Sequence, residues 1–425
     1  MPNDVLVGGL VQTERVVLNE QQQKVLDICL DFLKSKSGKK ELIVSGYAGT
    51  GKTSIIPYIL EHERPLNPFA YQDNNVFAYT GKACVVLRRK GISANTLHSF
   101  LYHSVTKIDE KGERYIEIQE RPLNCFQGIN YIIIDEASMV SRKIYDRLKL
   151  ISDQFGMKII FIGDDFQLPP VKDDFNVMTN PDITLTEICR TDKDNPIVFL
   201  ANLARNGEKI PYGKWGESGH FHLRQLKDDY LEKYDELLCW TNERRIALNN
   251  RMRQLLFGEK ADVNVAYAGE RMIVKENLPS KQIFNGQIVI LEKDAIHKKK
   301  PEWFDGEIYE VSFVDELLKT DVLAMALATD NDIKKAICTI GAYDKTSRLK
   351  DGRVLNMGNG KDQFSRVWNL ARLDYGYAIT VHAAQGSSWY GVALIDEQRH
   401  KSFSEYYRWL YTGITRAEGF VHVYD

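Results

Sequence analysis

The chain has 425 residues, of which 44% are hydrophobic and 27% are charged, so it is long enough to bury two or more domain cores. No apolar run reaches the length of a membrane span, so we expect no membrane-spanning segment and no membrane partner. The formal net charge of −2 excludes a globally basic nucleic-acid-binding protein, and any nucleic-acid surface must be a local groove.

The N-terminus has no basic region followed by an apolar stretch, so we expect no secretory signal and a cytoplasmic location. The cysteines are far apart and show no spacing that is typical of zinc ligands. We therefore expect free, mostly buried thiols. The six cysteines are Cys29, Cys84, Cys125, Cys189, Cys239 and Cys338.

The first predicted elements lead into a glycine-rich loop. A helix begins at residues 18–20, carries apolar residues at helical spacing and ends near Lys34. Residues 41–45 read as a buried strand. A second helix opens at residues 54–56, and it tolerates Pro57 only within its first turns. The loop lies between this strand and the second helix, as in phosphate-binding proteins.

The loop fills every fixed position of the phosphate-binding loop. Its glycines let successive N–H groups point at phosphate oxygens, Lys52 reaches the β- and γ-phosphates, and the Thr53 hydroxyl ligates Mg²⁺. The sequence therefore predicts a bound nucleoside triphosphate with Mg²⁺. The predicted nucleotide-binding residues are Gly46, Gly49, Thr50, Gly51, Lys52 and Thr53.

Further strands are predicted at residues 75–79, 131–134, 158–162, 237–240 and 392–395. Continuous apolar runs that alternate with helical stretches are typical of parallel sheets covered on both faces. Residues 105–120 alternate around Gly112, which predicts a β-hairpin inserted into the first sheet domain. Residues 267–373 contain short strand-like runs among charged loops, which favours a small β-rich domain.

Two carboxylates stand at the end of the strand predicted at residues 131–134. A buried carboxylate is costly unless it meets a metal ion or a partner. Asp135 is therefore predicted to hold Mg²⁺, and Glu136 to orient and deprotonate the attacking water. The alternative is a strand end that simply reaches solvent. The phosphate-binding loop upstream makes that alternative the weaker one.

Residues 160–171 run from another buried strand into Gly163, an acidic pair, Gln167 and a rigid Pro-Pro step. A polar side chain held there can sense the γ-phosphate. This segment resembles motif III of superfamily-one helicases. Other segments resemble the remaining motifs in the family's order: residues 80–83 (motif Ia), 97–100, 185–190 (motif IV), 378–387 (motif V) and 411–417 (motif VI).

The Thr-Gly-Lys-Ala form of residues 80–83 is similar to that of the RecD-like and Dda-like branch, superfamily one B, whose members move 5′ to 3′ on single-stranded DNA. The resemblance covers residues 15–425. Cys84 departs from the branch's alanine, and residues 267–373 match only weakly, which leaves the accessory domain less defined. The resemblance implies ATP and Mg²⁺ as cofactors.

It also implies an α/β fold with two RecA-like P-loop domains containing parallel sheets, a β-hairpin insertion and a small β-rich, SH3-like insertion. The first motor domain would comprise residues 1–97 and 125–190, with the hairpin at 98–124. The second motor domain would comprise residues 191–266 and 374–425, with the β-rich insertion at 267–373.

The resemblance further assigns roles around the nucleotide. Gln22 would recognise adenine, and Gly386 would let the second domain's backbone approach the nucleotide. Arg190 and Arg416 would reach the γ-phosphate from the second domain, where closure delivers donors to the developing charge. An isolated arginine would by default form a surface ion pair. The catalytic residues predicted in this way are Lys52, Glu136, Gln167, Arg190 and Arg416.

DNA contacts are predicted from the family's strand-contact motifs. A single strand needs basic or hydroxyl groups for phosphates and flat side chains for bases. The hairpin occupies the position of the family's strand-separating pin, with Tyr115 or Ile108 as the candidate wedge. Phe100, Tyr102 and Trp240 can stack on bases, although an aromatic residue at a strand end is more often part of the core. The predicted DNA-binding residues are Thr80, Lys82, His98, Phe100, Thr241, Asn242, Thr380 and His382.

The resulting prediction is an ATP-dependent, 5′-to-3′ DNA helicase that binds single-stranded and forked DNA as a monomer, with single-strand-binding or replication proteins as candidate partners. Two alternatives stay open. One is a single-strand translocase that displaces proteins or serves a recombination complex without processive unwinding. The other is a P-loop switch that gates a protein partner. That switch would hydrolyse ATP slowly and without regard to DNA.

Overall fold

The computed structural model describes residues 17–63, 75–108, 114–170, 173, 175–187, 195–275, 285–299, 307–316, 334–340, 370–397 and 402–425. Within these ranges the strands form three six-stranded sheets and one two-stranded hairpin. The free cysteines Cys29, Cys84, Cys239 and Cys338 are buried and Cys125 is exposed. Cys189 lies outside the described ranges. No described helix is both long and apolar enough to span a bilayer.

The first sheet has the strand order β3-β2-β6-β7-β1-β8, and all its neighbouring pairs are parallel. Its strands are β1 (Glu41–Gly46), β2 (Val76–Ala78), β3 (Asn95–Thr96), β6 (Tyr131–Asp135), β7 (Lys158–Gly163) and β8 (Ile183–Leu185). Its helices are α1 (Glu20–Lys34), α2 (Ile56–His62), α3 (Gly81–Arg89), α4 (Leu97–Leu101) and α5 (Arg142–Phe155). Separate apolar clusters cover the two faces of this sheet. This is the sandwiched parallel sheet that the sequence predicts.

Local sequence explains where the first helices begin. Asn19 accepts a hydrogen bond from the Gln22 N–H, and the Gln22 side chain accepts one from the Asn19 N–H, which completes a capping box at the start of α1. Pro57 occupies the first turn of α2, where its missing N–H leaves no hydrogen bond unmade. Both features place helices directly beside the phosphate-binding loop.

The predicted hairpin is present. Strand β4 (Tyr102–Ile108) pairs antiparallel with β5 (Arg114–Glu120). The hairpin therefore begins at Tyr102, three residues earlier than the sequence predicted. Ile108 is 64% exposed, so it is accessible at the hairpin. The side chain of Tyr115, the other candidate wedge, lies outside the described residues, as does the turn.

The second sheet has the strand order β18-β11-β19-β20-β10-β9; its pairs are parallel except for the edge pair β9–β10. Its strands are β9 (Gly213–Trp215), β10 (Ser218–Phe221), β11 (Glu236–Cys239), β18 (Ala378–Thr380), β19 (Trp389–Ile395) and β20 (Ala417–Tyr424). Its helices are α6 (Pro196–Arg205), α7 (Asp228–Leu231), α8 (Asn242–Phe257) and α9 (Phe403–Ile414). The chain thus contains a second α/β layer of the same kind.

The third sheet is β-rich and mostly antiparallel, with β16 and β17 as a parallel pair. Its strands are β12 (Arg271–Val274), β13 (Ile288–Leu291), β14 (Ile296–Lys298), β15 (Ile308–Asp315), β16 (Lys334–Ile340) and β17 (Leu370–Tyr375). Buried ion pairs tie it to the second sheet domain: Arg271 to Glu236 at 2.8 Å and Arg245 to Asp374 at 2.7 Å. The predicted fold class is therefore confirmed.

Candidate nucleotide and nucleic-acid sites

The phosphate-binding loop follows the carboxyl end of β1 and is packed against helix α1. Gln22 is 2% exposed, and its Nε2 donates a hydrogen bond to the Thr50 carbonyl at 3.0 Å. Gly51 has φ +70°, and a Cβ there would lie 2.4 Å from Gln22 Nε2. A larger residue would therefore both strain the loop and displace Gln22. Gln22 therefore lies beside the loop, and its recognition of adenine stays a prediction.

Thr53 and Asp135 meet at the ends of adjacent elements. Thr53 Oγ1 donates to Asp135 Oδ2 at 3.2 Å. Asp135 is 6% exposed, and burial followed by the neighbouring Glu136 raises its pKa to about 6, while Lys52 opposes this shift. A hydroxyl and a carboxylate are hard oxygen ligands, which fit Mg²⁺. A divalent cation held here would also offset the buried negative charge.

Lys52 turns back onto its own loop. Its Nζ donates to the Gly46 carbonyl at 2.6 Å and to the Tyr47 carbonyl at 2.9 Å. A lysine at this position of the loop binds β- and γ-phosphates, and an anion there would compete with the two carbonyls for the ammonium group. Because its charge opposes the rise in the pKa of Asp135, Lys52 lies near the contact between Thr53 and Asp135.

Glu136 has φ +53°, the left-handed region that residues other than glycine rarely adopt. Among the described residues it is the one non-glycine residue with a positive φ. Such a conformation costs on the order of 1–3 kcal/mol and is found mainly at functional sites. The strained residue directly follows Asp135, and its backbone N–H donates to Asp135 Oδ1 at 3.0 Å. The role of Glu136 as the base for the attacking water stays a prediction.

Gln167 is 3% exposed, and its buried Oε1 has no hydrogen-bond partner in the described part of the chain. Buried polar atoms almost always have a partner, so an orphaned acceptor indicates a missing donor. A water molecule poised for attack on the γ-phosphate is a donor of the right kind. The predicted contact of Gln167 with the reacting phosphate stays a prediction.

A cavity of about 270 Å³ is lined by the phosphate-binding loop and by the second sheet domain. The loop forms one wall, and helices α6 and α9, with Asn195 before α6 and the residues after α9, form the other. The lining residues are Tyr47, Ala48, Gly49, Asn195, Ile197, Val198, Ala201, Asn202, Tyr411, Thr415, Ala417 and Glu418. A nucleotide on the loop would therefore lie beside helices α6 and α9 of the second domain.

The two predicted arginine donors differ in what the structure shows. Arg416 is 6% exposed and donates to the Thr412 carbonyl at 3.0 Å and to the Ser387 carbonyl at 3.1 Å. Its guanidinium is thus tied to its own domain, while its neighbours Thr415 and Ala417 line the cavity. Arg190 lies outside the described residues. Both roles at the γ-phosphate stay predictions.

Gly386 closely approaches Thr80 of the first domain. Its φ is +74°, and a Cβ there would lie 3.2 Å from Thr80 Oγ1. Thr80 caps helix α3 by accepting a hydrogen bond from the Ala83 N–H at 3.1 Å. The described contact therefore joins Gly386 to a predicted DNA-contact segment, and its predicted approach to the nucleotide stays a prediction.

The predicted DNA-contact residues of the second domain lie at the carboxyl ends of parallel strands. Thr241 and Asn242 begin helix α8 directly after β11, and Thr380 ends β18. Thr241 Oγ1 donates to Glu397 at 2.7 Å, so a DNA phosphate would have to compete with this carboxylate. His382 packs edge-on against Trp240, with ring centroids 5.9 Å apart.

In the first domain the exposed His98 lies between Tyr79 and Tyr102, with ring centroids 5.3 and 5.9 Å away. This aromatic group marks an edge on which bases could stack. The side chain of Lys82 lies outside the described residues.

The structure corrects the predicted DNA contact of Phe100. It was predicted to contact DNA, but it is 2% exposed and packs against Phe77 and Phe126, with ring centroids 4.5 and 5.0 Å away. Helix α4 turns its apolar face inward, so Phe100 points to the core while His98 points to solvent. The assignment of Phe100 as a base-stacking residue is wrong for this structure.

We expect Phe100→Ala to lower the free energy of unfolding by about 3–5 kcal/mol, because it leaves a cavity in the first domain's core. The affinity of the folded fraction for single-stranded DNA should not change. Denaturant unfolding and fluorescence titration with an oligonucleotide measure the two quantities. Weaker DNA binding with unchanged stability would restore Phe100 to the DNA surface.

Sequence reasoning missed Arg205 at the end of α6. Its guanidinium binds Asp164 and Asp165 of the first domain and lies 3.9 Å from the centre of the Tyr47 ring. No motif marked this residue, and an arginine in the last turn of an amphipathic helix usually faces solvent. The acidic pair at residues 164–165 was the one available signal, because buried carboxylates require a cationic partner.

Comparison with known proteins agrees with this geometry. Residues 17–224 match the family model described as an AAA domain, and residues 375–424 match the UvrD-like helicase C-terminal domain. The ATP-dependent DNA helicase dda of Enterobacteria phage T4 is 26% identical, over 87% of this chain and 90% of that protein. The ATP-dependent DNA helicase RRM3 of Saccharomyces cerevisiae is 29% identical, over 86% of this chain. The chain spans 52% of the length of RRM3.

Solved structures share the fold. The Pif1 helicase from Bacteroides, in complex with ADP-AlF3 and single-stranded DNA, has a TM-score of 0.52 at 18% identity, covering 96% of this chain and 92% of that chain. The Pif1 helicase from Candida albicans has a TM-score of 0.52 at 17% identity, covering 96% and 94%. At this identity the likeness concerns the fold alone.

Proposed function

Because the chain belongs to the superfamily-one B helicases, we propose that it is an ATP-dependent DNA helicase that moves 5′ to 3′ on single-stranded DNA and unwinds the duplex ahead. One observation carries the proposal beyond family membership. The phosphate-binding loop, with Thr53 and Asp135 bonded beside it, faces helices α6 and α9 of the second sheet domain across a cavity. A nucleotide at such a seam changes the contact between the domains.

The residues of this chain would divide the hydrolysis step among them. Lys52 and the loop amides would hold the phosphates, Thr53 and Asp135 would hold Mg²⁺, and Glu136 would take the proton of the attacking water. Bound Mg²⁺ would neutralise charge on the β- and γ-phosphates. Donors that come from the second domain complete the site only when the cavity closes, so the chemistry depends on the domain movement.

The movement would be transmitted to DNA at the edge where the two domains meet. Gly386 of the second domain approaches Thr80 of the first, and both lie in predicted strand-contact segments. Alternate grip by the two domains would then advance the chain along one strand. We further propose single-stranded and forked DNA as the substrates, action as a monomer in the cytoplasm, and single-strand-binding or replication proteins as partners.

The polarity of unwinding tests the proposal. With duplexes that carry one single-stranded tail, we expect strand separation from a 5′ tail and none above background from a 3′ tail, in the presence of ATP and Mg²⁺. A gel or fluorescence unwinding assay under single-turnover conditions measures it. Separation from the 3′ tail alone would contradict the branch assignment. Displacement of streptavidin from a single strand without any duplex separation would favour the translocase.

A further inference from the structure

A chain of buried polar groups crosses the domain interface beside the phosphate-binding loop. The Ala48 N–H donates a hydrogen bond to the Tyr411 hydroxyl at 3.0 Å, and this hydroxyl donates to Asp164 Oδ2 at 2.6 Å. Tyr411 is 1% exposed and Asp164 is fully buried. Burial and then the Asp164 charge hold the pKa of Tyr411 well above its usual value, so its hydroxyl stays a donor. One hydroxyl therefore links the loop backbone to the segment that precedes Gln167.

Arg205 of the second domain also binds to this series of hydrogen-bonded groups. Its two terminal nitrogens donate to different carboxylates, Asp164 at 3.1 Å and Asp165 at 2.6 Å. Hydrogen bonds from Arg205 and Ser45 lower the pKa of Asp165 although burial opposes them. Both acids lie in the first domain, whereas Arg205 ends helix α6. The two bonds use the planar fork of the guanidinium, a geometry that a lysine ammonium does not reproduce.

Arg205 also contacts the loop directly. Its guanidinium carbon lies 3.9 Å from the centre of the Tyr47 ring, a distance typical of a cation–π contact. The side chain thus touches the loop residue next to Ala48 and the acid that orients Tyr411. Any shift of residues 47–48 when phosphates bind must change at least one of these contacts. The contacts converge on helices α6 and α9, which form the far wall of the cavity.

The same segment leads to Gln167, the predicted contact of the γ-phosphate. Arg408 of α9 donates to the carbonyls of Asp165 at 2.7 Å and Gln167 at 3.3 Å. The segment from Asp164 to Gln167 is therefore held from two helices of the second domain. Its position, and with it the direction of the Gln167 amide, depends on how the domains are docked.

We propose that Arg205 is a positioning residue that couples DNA binding to ATP hydrolysis, by bridging Asp164 and Asp165 across the interface and so fixing the Tyr411–Ala48 contact and the Gln167 segment. This inference rests on the proposed helicase function and adds a regulatory residue to the same site. Arg205 need not touch the nucleotide. It acts through Asp164 on Tyr411, and through the two acids on Gln167.

The alternative is that Arg205 only stabilises the domain interface. Then Arg205→Ala would lower thermal stability, and nucleotide and DNA binding would weaken together. A positioning role predicts a different pattern, in which both ligands bind as before but DNA no longer accelerates hydrolysis. The two roles are separated by the ratio of the kcat with saturating oligothymidylate to the kcat without DNA, measured with the Kd values for ADP and for oligothymidylate.

We expect Arg205→Ala to lower this ratio about tenfold or more, a coupling of the size seen along contact networks, and to leave both Kd values within about threefold. Arg205→Lys should restore little of the ratio, because one ammonium cannot bridge both acids while stacking on Tyr47. Arg251→Ala is the matched control. Arg251 is 43% exposed on α8 and pairs with the exposed Asp228, so its loss should leave the ratio unchanged.

Tyr411→Phe provides a second test, since it removes one hydroxyl and keeps the buried ring. It should lower the same ratio, and the double variant with Arg205→Ala should lose little more, because both act through Asp164. An unchanged ratio in folded Arg205→Ala, full rescue by Arg205→Lys, or losses that follow weaker oligothymidylate binding would each overturn the inference. Wild-type hydrolysis that ignores oligothymidylate would instead contradict the helicase function itself, and this inference with it.

Discussion

Replacement of Lys52 by alanine is expected to lower DNA-stimulated ATP hydrolysis by about a thousandfold or more, which is the scale of removing a charged group that stabilises phosphoryl transfer. The affinity for single-stranded DNA should stay within about threefold of wild type, because the predicted strand contacts lie elsewhere. Steady-state hydrolysis with oligothymidylate and a fluorescence binding titration measure the two effects.

The contacts of Lys52 explain why its loss should affect ATP hydrolysis but not the affinity for DNA. Lys52 Nζ bonds only carbonyls of its own loop among the contacts described, at Gly46 and Tyr47, and Gly46 ends the buried strand β1. Its removal therefore leaves the surrounding core and the domain interface in place. The predicted DNA edge is defined by other residues, including His98 and Trp240.

Lys149→Ala provides the control for a lost positive charge, since Lys149 is exposed on helix α5. It should leave both hydrolysis and DNA binding unchanged. Equal ATPase activity in the Lys52 variant and the wild type would refute the assignment of the phosphate site. A parallel loss of DNA binding would show that the loop also shapes the DNA edge.

The nucleotide site was predictable because each of its parts is local in sequence. The glycines before Lys52 fix the loop conformation, and the carboxylates that follow apolar runs mark the carboxyl ends of parallel strands. Since the carboxyl ends of parallel strands share one edge, Thr53 and Asp135 had to lie close together, and they are 3.2 Å apart. Thr241 and Thr380, which were predicted from the family's motifs, likewise follow or end parallel strands of the second sheet.

The interface could not be predicted in this way, because it depends on pairs far apart in the chain. Arg205 and Asp164 are 41 residues apart, and Tyr411 and Asp164 are 247 apart. The prediction that Phe100 contacts DNA was wrong for a related reason. Sequence spacing fixes which residues share a helix face, but it does not say which face a five-residue helix such as α4 turns to the core.

Replacement of Glu136 by glutamine is expected to be the most informative change at the reaction centre. Glutamine keeps the size of the side chain but cannot accept the proton of the attacking water. The kcat should fall by about a hundredfold to ten-thousandfold, the range for a lost general base. ATP and DNA should still bind together, so the variant should accumulate as a ternary complex that single-turnover hydrolysis and native mass measurement can detect.

The backbone of Glu136 adds an independent test of why this residue stands there. Because φ is +53°, replacing Glu136 with glycine removes the steric strain of a side chain in the left-handed region. The relief of this strain, about 1–2 kcal/mol, opposes the larger loss of backbone entropy that glycine undergoes on folding. Glu136→Gly should therefore be at least as stable to heat as wild type while losing hydrolysis as Glu136→Gln does. A clear fall in the melting temperature of Glu136→Gly would show that the side chain is retained for stability. Full activity in Glu136→Gln would assign the proton to another group.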